Sequence, residues 1–108
     1  MATKTISKAE AARMLAALGS EIRLSVYKEL LRAGPDGVNV SDLQRALGVP
    51  ASTLAHHLST LTDAGLVGQE RRGRELICTA RYEEIRKVSA YLMAECCADT
   101  RKLHRKAA

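Results

Sequence analysis

Between Ser41 and Val67 two short apolar-periodic stretches are separated by a Gly-Val-Pro corner, an arrangement few folds can accommodate. Leu43 and Leu47 are four apart in a segment over 42–47, for which Ser41 is the expected N-cap. Gly48 closes that segment and Val49-Pro50 makes a tight corner. Ser52 is the expected cap of a second segment running to Ala64, where Gly65 ends it. Leu54, Leu58 and Leu61 repeat at helical spacing inside it. Two short helices joined by a Gly-containing turn make a helix-turn-helix.

The flanks complete an architecture. Upstream, residues 8–18 form an Ala-rich helix behind Ser7, and residues 21–33 form another behind Ser20. In the latter, Ile22, Val26 and Leu30 share a face with Tyr27 and Leu31. Gly34-Pro35-Asp36-Gly37 stops it, and Val38-Asn39-Val40 is a short extended piece. Downstream, residues 66–71 and 75–79 read as strands of a hairpin turned by Arg72-Gly73-Arg74. A last helix over 81–99 carries the stripe Tyr82, Ile85, Ser89, Leu92 and Cys96, with Val88 and Met93 alongside. The fold class is mainly α with a small β-hairpin (α+β), a winged helix-turn-helix with an extra helix at each end. We expect one domain over 1–108: dimerisation helices at 6–18 and 81–99, the helix-turn-helix at 41–65, the wing at 66–79 and a basic tail at 100–108.

Composition supports this reading. The hydrophobic fraction is 46% but the aromatic fraction only 3%, so the core must be aliphatic, which suits packed helices. A core so poor in large side chains gains from burying further surface in a dimer, and the last helix carries more apolar face than a small core can use. No stretch approaches the roughly 20 apolar residues of a membrane helix, and residues 1–8 lack the apolar run of a signal peptide. A cytoplasmic chain is expected, with no membrane partner. Three cysteines without an export signal are expected to stay reduced. Seventeen Lys and Arg against twelve Asp and Glu leave a net charge of +5, which favours a polyanionic partner.

On the second helix of the motif, Ser52, Thr53, His56, His57 and Thr60 are set against the leucines. Short or planar polar groups near a helix N-terminus suit base edges in a major groove. Any surface helix has a polar face, so this signal gains weight only from its setting. The charge must come from elsewhere, since Asp63 is the one formal charge between Pro50 and Gln69. Arg71, Arg72 and Arg74 at the hairpin tip supply it, where they could reach phosphates or a minor groove. Alone they would be solvated turn residues beside Glu70 and Glu75; directly after a helix-turn-helix, double-stranded DNA contact is the better reading. A winged helix used for protein contacts would carry a neutral or acidic wing tip instead. No Gly-rich phosphate loop or metal-hydrolase His pattern supports an enzyme.

The runs LAALGSEIRLSVYKEL, SDLQRALGVPASTLAHHLSTLTDAGLV and RRGRELICT together resemble the ArsR/SmtB family of bacterial metal- and metalloid-responsive repressors, over residues 12–97. The resemblance implies a homodimer on a palindromic operator, released by an inducer. By position, Ser52, Thr53, His56 and His57 match the family's recognition-helix residues, and Arg72 and Arg74 its wing. The sensing sites do not transfer. Where founding arsenic- and cadmium-type members carry Cys-Val-Cys-Asp-Leu, this chain has Asn39-Val40-Ser41-Asp42-Leu43. Zinc-type members carry Asp and His pairs on the last helix, which here has no His before His104.

What remains is Cys78 in the wing and the vicinal pair Cys96-Cys97. Sixteen helical residues span about 24 Å, so Cys78 and Cys96 should lie far apart within one chain. If the last helices pack antiparallel across a two-fold axis, as the family resemblance suggests, Cys78 of one chain approaches Cys96 or Cys97 of its partner. Soft thiolates suit trivalent arsenic or antimony, and a monosubstituted arsenical needs only a pair of them; some arsenic-responsive family members look similar in carrying a Cys-Cys pair in the last helix. Zinc would need a tetrahedral set that three cysteines do not complete. Thiol-based sensing of oxidants or reactive sulfur and inert packing of buried cysteine stay open. No permanently bound cofactor is expected.

Overall fold

The computed structural model describes residues 5–100. The chain runs α1 (Lys8–Leu18), α2 (Glu21–Ala33), β1 (Val38–Asn39), α3 (Val40–Leu47), α4 (Ala51–Asp63), β2 (Val67–Arg72), β3 (Glu75–Ala80) and α5 (Tyr82–Ala94). This is the winged helix-turn-helix order, with α3 and α4 forming the helix pair and β2–β3 the wing.

Local chemistry starts the first two helices as the sequence predicts. The Ser7 hydroxyl accepts from the Glu10 amide while the Glu10 carboxylate accepts from the Ser7 amide, a complete capping box. Ser20 caps α2 through the Arg23 amide. The caps of the motif itself are corrected. Asn39, not Ser41, caps α3, its side-chain oxygen accepting from the Asp42 amide at 2.7 Å. Pro50 occupies the N-cap of α4 with no side-chain bond, so Ser52 sits inside the first turn. Proline's missing N–H costs nothing at a helix start.

The extended piece before α3 proves to be a third strand. β1 pairs antiparallel with β3, Val38 opposite Cys78 and Asn39 opposite Ile77, giving the sheet order β1-β3-β2. β2 and β3 pair from Val67 opposite Ala80 to Arg72 opposite Glu75. Gly37 makes the close approach possible, because a Cβ there would lie 2.6 Å from the Cys78 carbonyl oxygen and 2.7 Å from Thr79.

One aliphatic cluster unites helices and sheet. Val26, Tyr27 and Leu30 of α2 pack with Leu43, with Leu54, Leu58 and Leu61 of α4, and with Leu66, Val67 and Cys78 of the wing base. Burial, then the neighbouring Tyr82 and Glu84, push the Tyr27 phenol up to about 12. The Tyr82 hydroxyl donates to the Leu31 carbonyl and ties α5 to the end of α2.

The last helix is shorter than its sequence stripe. It stops at Ala94, and tight turns carry the chain through residues 95–99. The core takes Val88 fully and Tyr82, Ile85 and Tyr91 in part, leaving Leu92 and Met93 exposed. With Leu92 and Met93 left exposed, its last turn gains little from packing, and propensity alone does not extend a helix. Cys96 and Cys97 therefore lie beyond it, and Cys97 has a positive φ of 61°. The tail residues Arg101, Lys102, Arg105 and Lys106 lie outside the described residues, as does His104.

Two glycine substitutions separate backbone strain from contact. Gly48 has a left-handed φ of 66° with nothing near its missing Cβ. Gly48→Ala should cost about 1–2 kcal/mol from φ alone. Gly37→Ala, with φ 75° and three atoms inside 3.0 Å, should cost clearly more. Urea denaturation checks the ranking; equal losses would contradict the close packing of β1 and β3.

Candidate nucleic-acid interface

The orientation of α4 follows from its leucines. Leu54, Leu58 and Leu61 are all buried, and at about 100° per residue the residues opposite them are Ser52, His56 and Ser59. Those three are exposed together with Ala55. Thr53, His57 and Thr60, expected on the same face, are half-buried at its flanks. The Thr60 hydroxyl donates to the His56 carbonyl within the helix. The outer ridge is therefore Ser52, Ala55, His56 and Ser59. Ala55 and Ser59 join this ridge beside the expected residues, and the helical rotation from the leucines identifies Ser59.

His56 and His57 have ring centroids 5.6 Å apart, tilted at 55°. They differ in environment. The His57 Nδ1 is covered by protein and bonds to no other described residue. Desolvation, then the Arg23 guanidinium, then His56 hold His57 below the usual histidine range. Arg23 is itself fixed, its Nε donating to the Ala17 carbonyl at 2.7 Å at the end of α1. These surroundings favour the neutral His57 ring, which carries one donor.

The wing stands beside this ridge. An open groove of about 280 Å³ separates Ala55, Leu58, Ser59 and Thr62 of α4 from Gln69 and Leu76 of the hairpin. Directly paired residues in a ladder share a face, so the register sorts the arginines. Arg71 pairs with Leu76, on the same face of the ladder as Gln69, and lines a cleft against α3. Arg72 pairs with Glu75 on the opposite face, and its guanidinium meets the Glu70 carboxylate at 3.3 Å. Arg74 follows the Gly73 turn and lines, with Arg71, a second cleft against α3. The sequence joined three arginines in one tip; the structure puts two on one side.

The three cysteines are likewise divided. Cys78 is fully buried in the core, where Gln69 Nε2 donates to its sulfur at 3.6 Å. Burial pushes this thiol up, and the Gln69 hydrogen bond pulls the other way with smaller effect. Cys96 and Cys97 are exposed, with sulfurs 3.7 Å apart. Among the described residues no three His, Cys, Asp or Glu side chains gather as a metal site within the chain.

Comparison with known proteins places this arrangement. A helix-turn-helix domain model matches residues 18–70. An ArsR-like transcriptional regulator from Rhodococcus sp. RHA1 superposes with TM-score 0.77 at 32% identity, covering 90% of this chain and 89% of that one. The chain belongs to the ArsR family. Its relatives include the transcriptional regulator NmtR of Mycobacterium tuberculosis, 38% identical over 64% of this chain and 55% of NmtR. A candidate arsenical resistance operon repressor of Halobacterium salinarum, ArsR2, is 36% identical over 56% of this chain and 50% of its own length. The chain thus spans about half the length of these two curated relatives. The ArsR family consists of DNA-binding transcriptional regulators, and among the described residues no helix of this member is long and apolar enough to cross a membrane.

The Arg23–His57 pairing gives a direct prediction. Because its folded pKa is depressed, protonating His57 opposes the fold, so its contribution to stability is present above its unfolded pKa and is lost as pH falls through the folded one. Arg23→Gln should raise the His57 pKa, read from ring-proton shifts in an NMR titration. An unchanged midpoint would contradict the electrostatic role assigned to Arg23.

Proposed function

We propose that this ArsR-family member is a homodimeric repressor that holds operator DNA through the outer ridge of α4 and the wing, and lets go when a trivalent arsenical binds its thiols. The observation that carries the DNA half is the pairing of a leucine-anchored helix, polar and exposed along Ser52, His56 and Ser59, with an arginine-bearing hairpin across an open groove. Ser52 and His56 read base edges from the first turns of α4, with Thr53, His57 and Thr60 at the flanks of the contact. Arg71, Arg72 and Arg74 hold backbone phosphates or the adjacent minor groove. Self-association through α1 and α5 is supported by the exposed Leu15, Leu92 and Met93, which the core of one chain leaves uncovered. The DNA is double-stranded, and the setting is cytoplasmic.

For the ligand half, burial decides among the cysteines. A cross-subunit site joining Cys78 to Cys96 needs the Cys78 thiol freed from the core and deprotonated against its raised pKa. Cys96 and Cys97 need neither. The arsenical therefore seats on that pair: two As–S bonds form, two arsenic-bound hydroxyls leave as water, and each takes one thiol proton. Cys78 is a third thiolate only in a rearranged bound state. Closing this ring draws the chain after α5 into a new path at the proposed dimer interface, which shifts the spacing of the two reading heads. The relative ArsR2 carries arsenical resistance in its name, which supports this choice of ligand. The 3.7 Å sulfur separation also suits a second reading, in which an oxidant or reactive sulfur species converts the pair to a disulfide or persulfide.

Fluorescence anisotropy on DNA from upstream of the gene tests both halves. A monosubstituted trivalent arsenical should release the reduced protein near stoichiometry, with zinc inert. Cys96→Ser and Cys97→Ser should keep the DNA affinity and raise the half-release concentration about tenfold or more. Cys78→Ser should lower stability and leave release in place. Undiminished release in the Cys96/Cys97 double variant would overturn the ligand assignment, and release by oxidants with arsenicals inert would select the second reading.

A further inference from the structure

A cleft of about 460 Å³ lies between the start of α3 and the wing, lined by Asn39, Val40 and Ser41 of the α3 entrance, by Arg45, and by Arg71, Arg74, Glu75 and Leu76 of the hairpin. Three arginines line it, from two elements far apart in sequence. The cleft is open, and polar groups supply more of its wall than apolar ones. Arg45 is not required by the fold: its side chain is 76% exposed, and its ion-pair partner is Asp42, one turn earlier on the same helix. An exposed pair of this kind contributes little to stability, so packing gives no reason for an arginine here. Glu75 is the one acidic group lining the cleft, and the Asn39 amide donates to it at 3.4 Å.

We propose that this cleft takes a backbone phosphate of the bound DNA, and that Arg45 is a phosphate-holding residue acting with Arg71 and Arg74. The inference rests on the DNA-binding reading above and adds to it a contact from α3, outside the recognition helix and the wing. Arginine forks match phosphate oxygens in pairs, and the Ser41 hydroxyl at the start of α3 can donate to the same group. Arg72 does not line this cleft, and its guanidinium is engaged by the Glu70 carboxylate. Asp42 is the built-in competitor: it holds Arg45 when DNA is absent and must yield it when a phosphate arrives.

The salt dependence of binding tests this directly. Each phosphate neutralised contributes about −0.9 to the slope of log K against log salt. Arg45→Gln and Arg71→Gln should each make the slope shallower by roughly that amount. Both should weaken operator and random duplexes alike, because a phosphate carries no sequence information. Asp42→Asn should strengthen binding to both. Circular dichroism of the free variants confirms that the fold persists, as an exposed position requires. An unchanged slope in Arg45→Gln, on a wild-type background that binds DNA, overturns the Arg45 assignment alone. Wild-type protein that binds no duplex overturns the DNA-binding reading itself. Inorganic phosphate distinguishes a free-anion site: saturable shifts of the Arg45 and Arg74 Nε–H signals with phosphate and none with duplex would also overturn the proposal. Shifts with duplex alone are the result it predicts.

Discussion

Burial of Leu54, Leu58 and Leu61 against Val26 and Leu30 of α2 is the constraint on which the rest of this molecule depends. A fully buried leucine contributes about 1.5–3 kcal/mol, and three on one stripe leave α4 no freedom to rotate. That fixed rotation turns Ser52, His56 and Ser59 outward. It also sets where the wing can sit, because Leu66 and Val67, directly after α4, enter the same cluster and start β2. The proposed reading surface is thus the outer side of this buried leucine stripe, and a preorganised surface loses little entropy when it binds.

The wing transmits the same logic through register. Val67, Cys78 and Ala80 face inward and are buried, and alternation along the ladder sets neighbouring arginines on opposite faces. Arg71 and Arg72 are chemically identical neighbours with different surroundings: one lines the cleft against α3, the other is engaged by Glu70. Cys78 is held by this alternation too. Its thiol belongs to the core face, which is why its chemistry is that of a small buried hydrophobe and the exposed pair beyond α5 is better placed for a ligand.

Much of this was legible in the residues. The caps Ser7 and Ser20, the Gly-Val-Pro corner, the Arg-Gly-Arg turn and the leucine repeat all announce themselves by local chemistry, and local chemistry decides those features. What was not legible depends on partners distant in sequence. The strand character of Val38 and Asn39 comes from pairing with β3, and Asn39 becomes the cap of α3 because that pairing positions it. The burial of Cys78 and the separation of Arg71 from Arg72 follow from a register that no single strand reveals. The shortened α5 reflects how little core one chain offers to its last turns. Which polar residues of α4 are exposed was present as an angle from the leucines, whereas polarity alone does not separate the exposed Ser52, His56 and Ser59 from the half-buried Thr53, His57 and Thr60.

The central claim, that two copies of this leucine-anchored helix read DNA together, is tested most directly by selecting bound duplexes from a random pool with the reduced full-length protein. The account predicts an enriched inverted repeat whose half-sites lie about one helical turn, or a multiple of it, apart. Enrichment of a single unrepeated site, or of nothing at all, would contradict it.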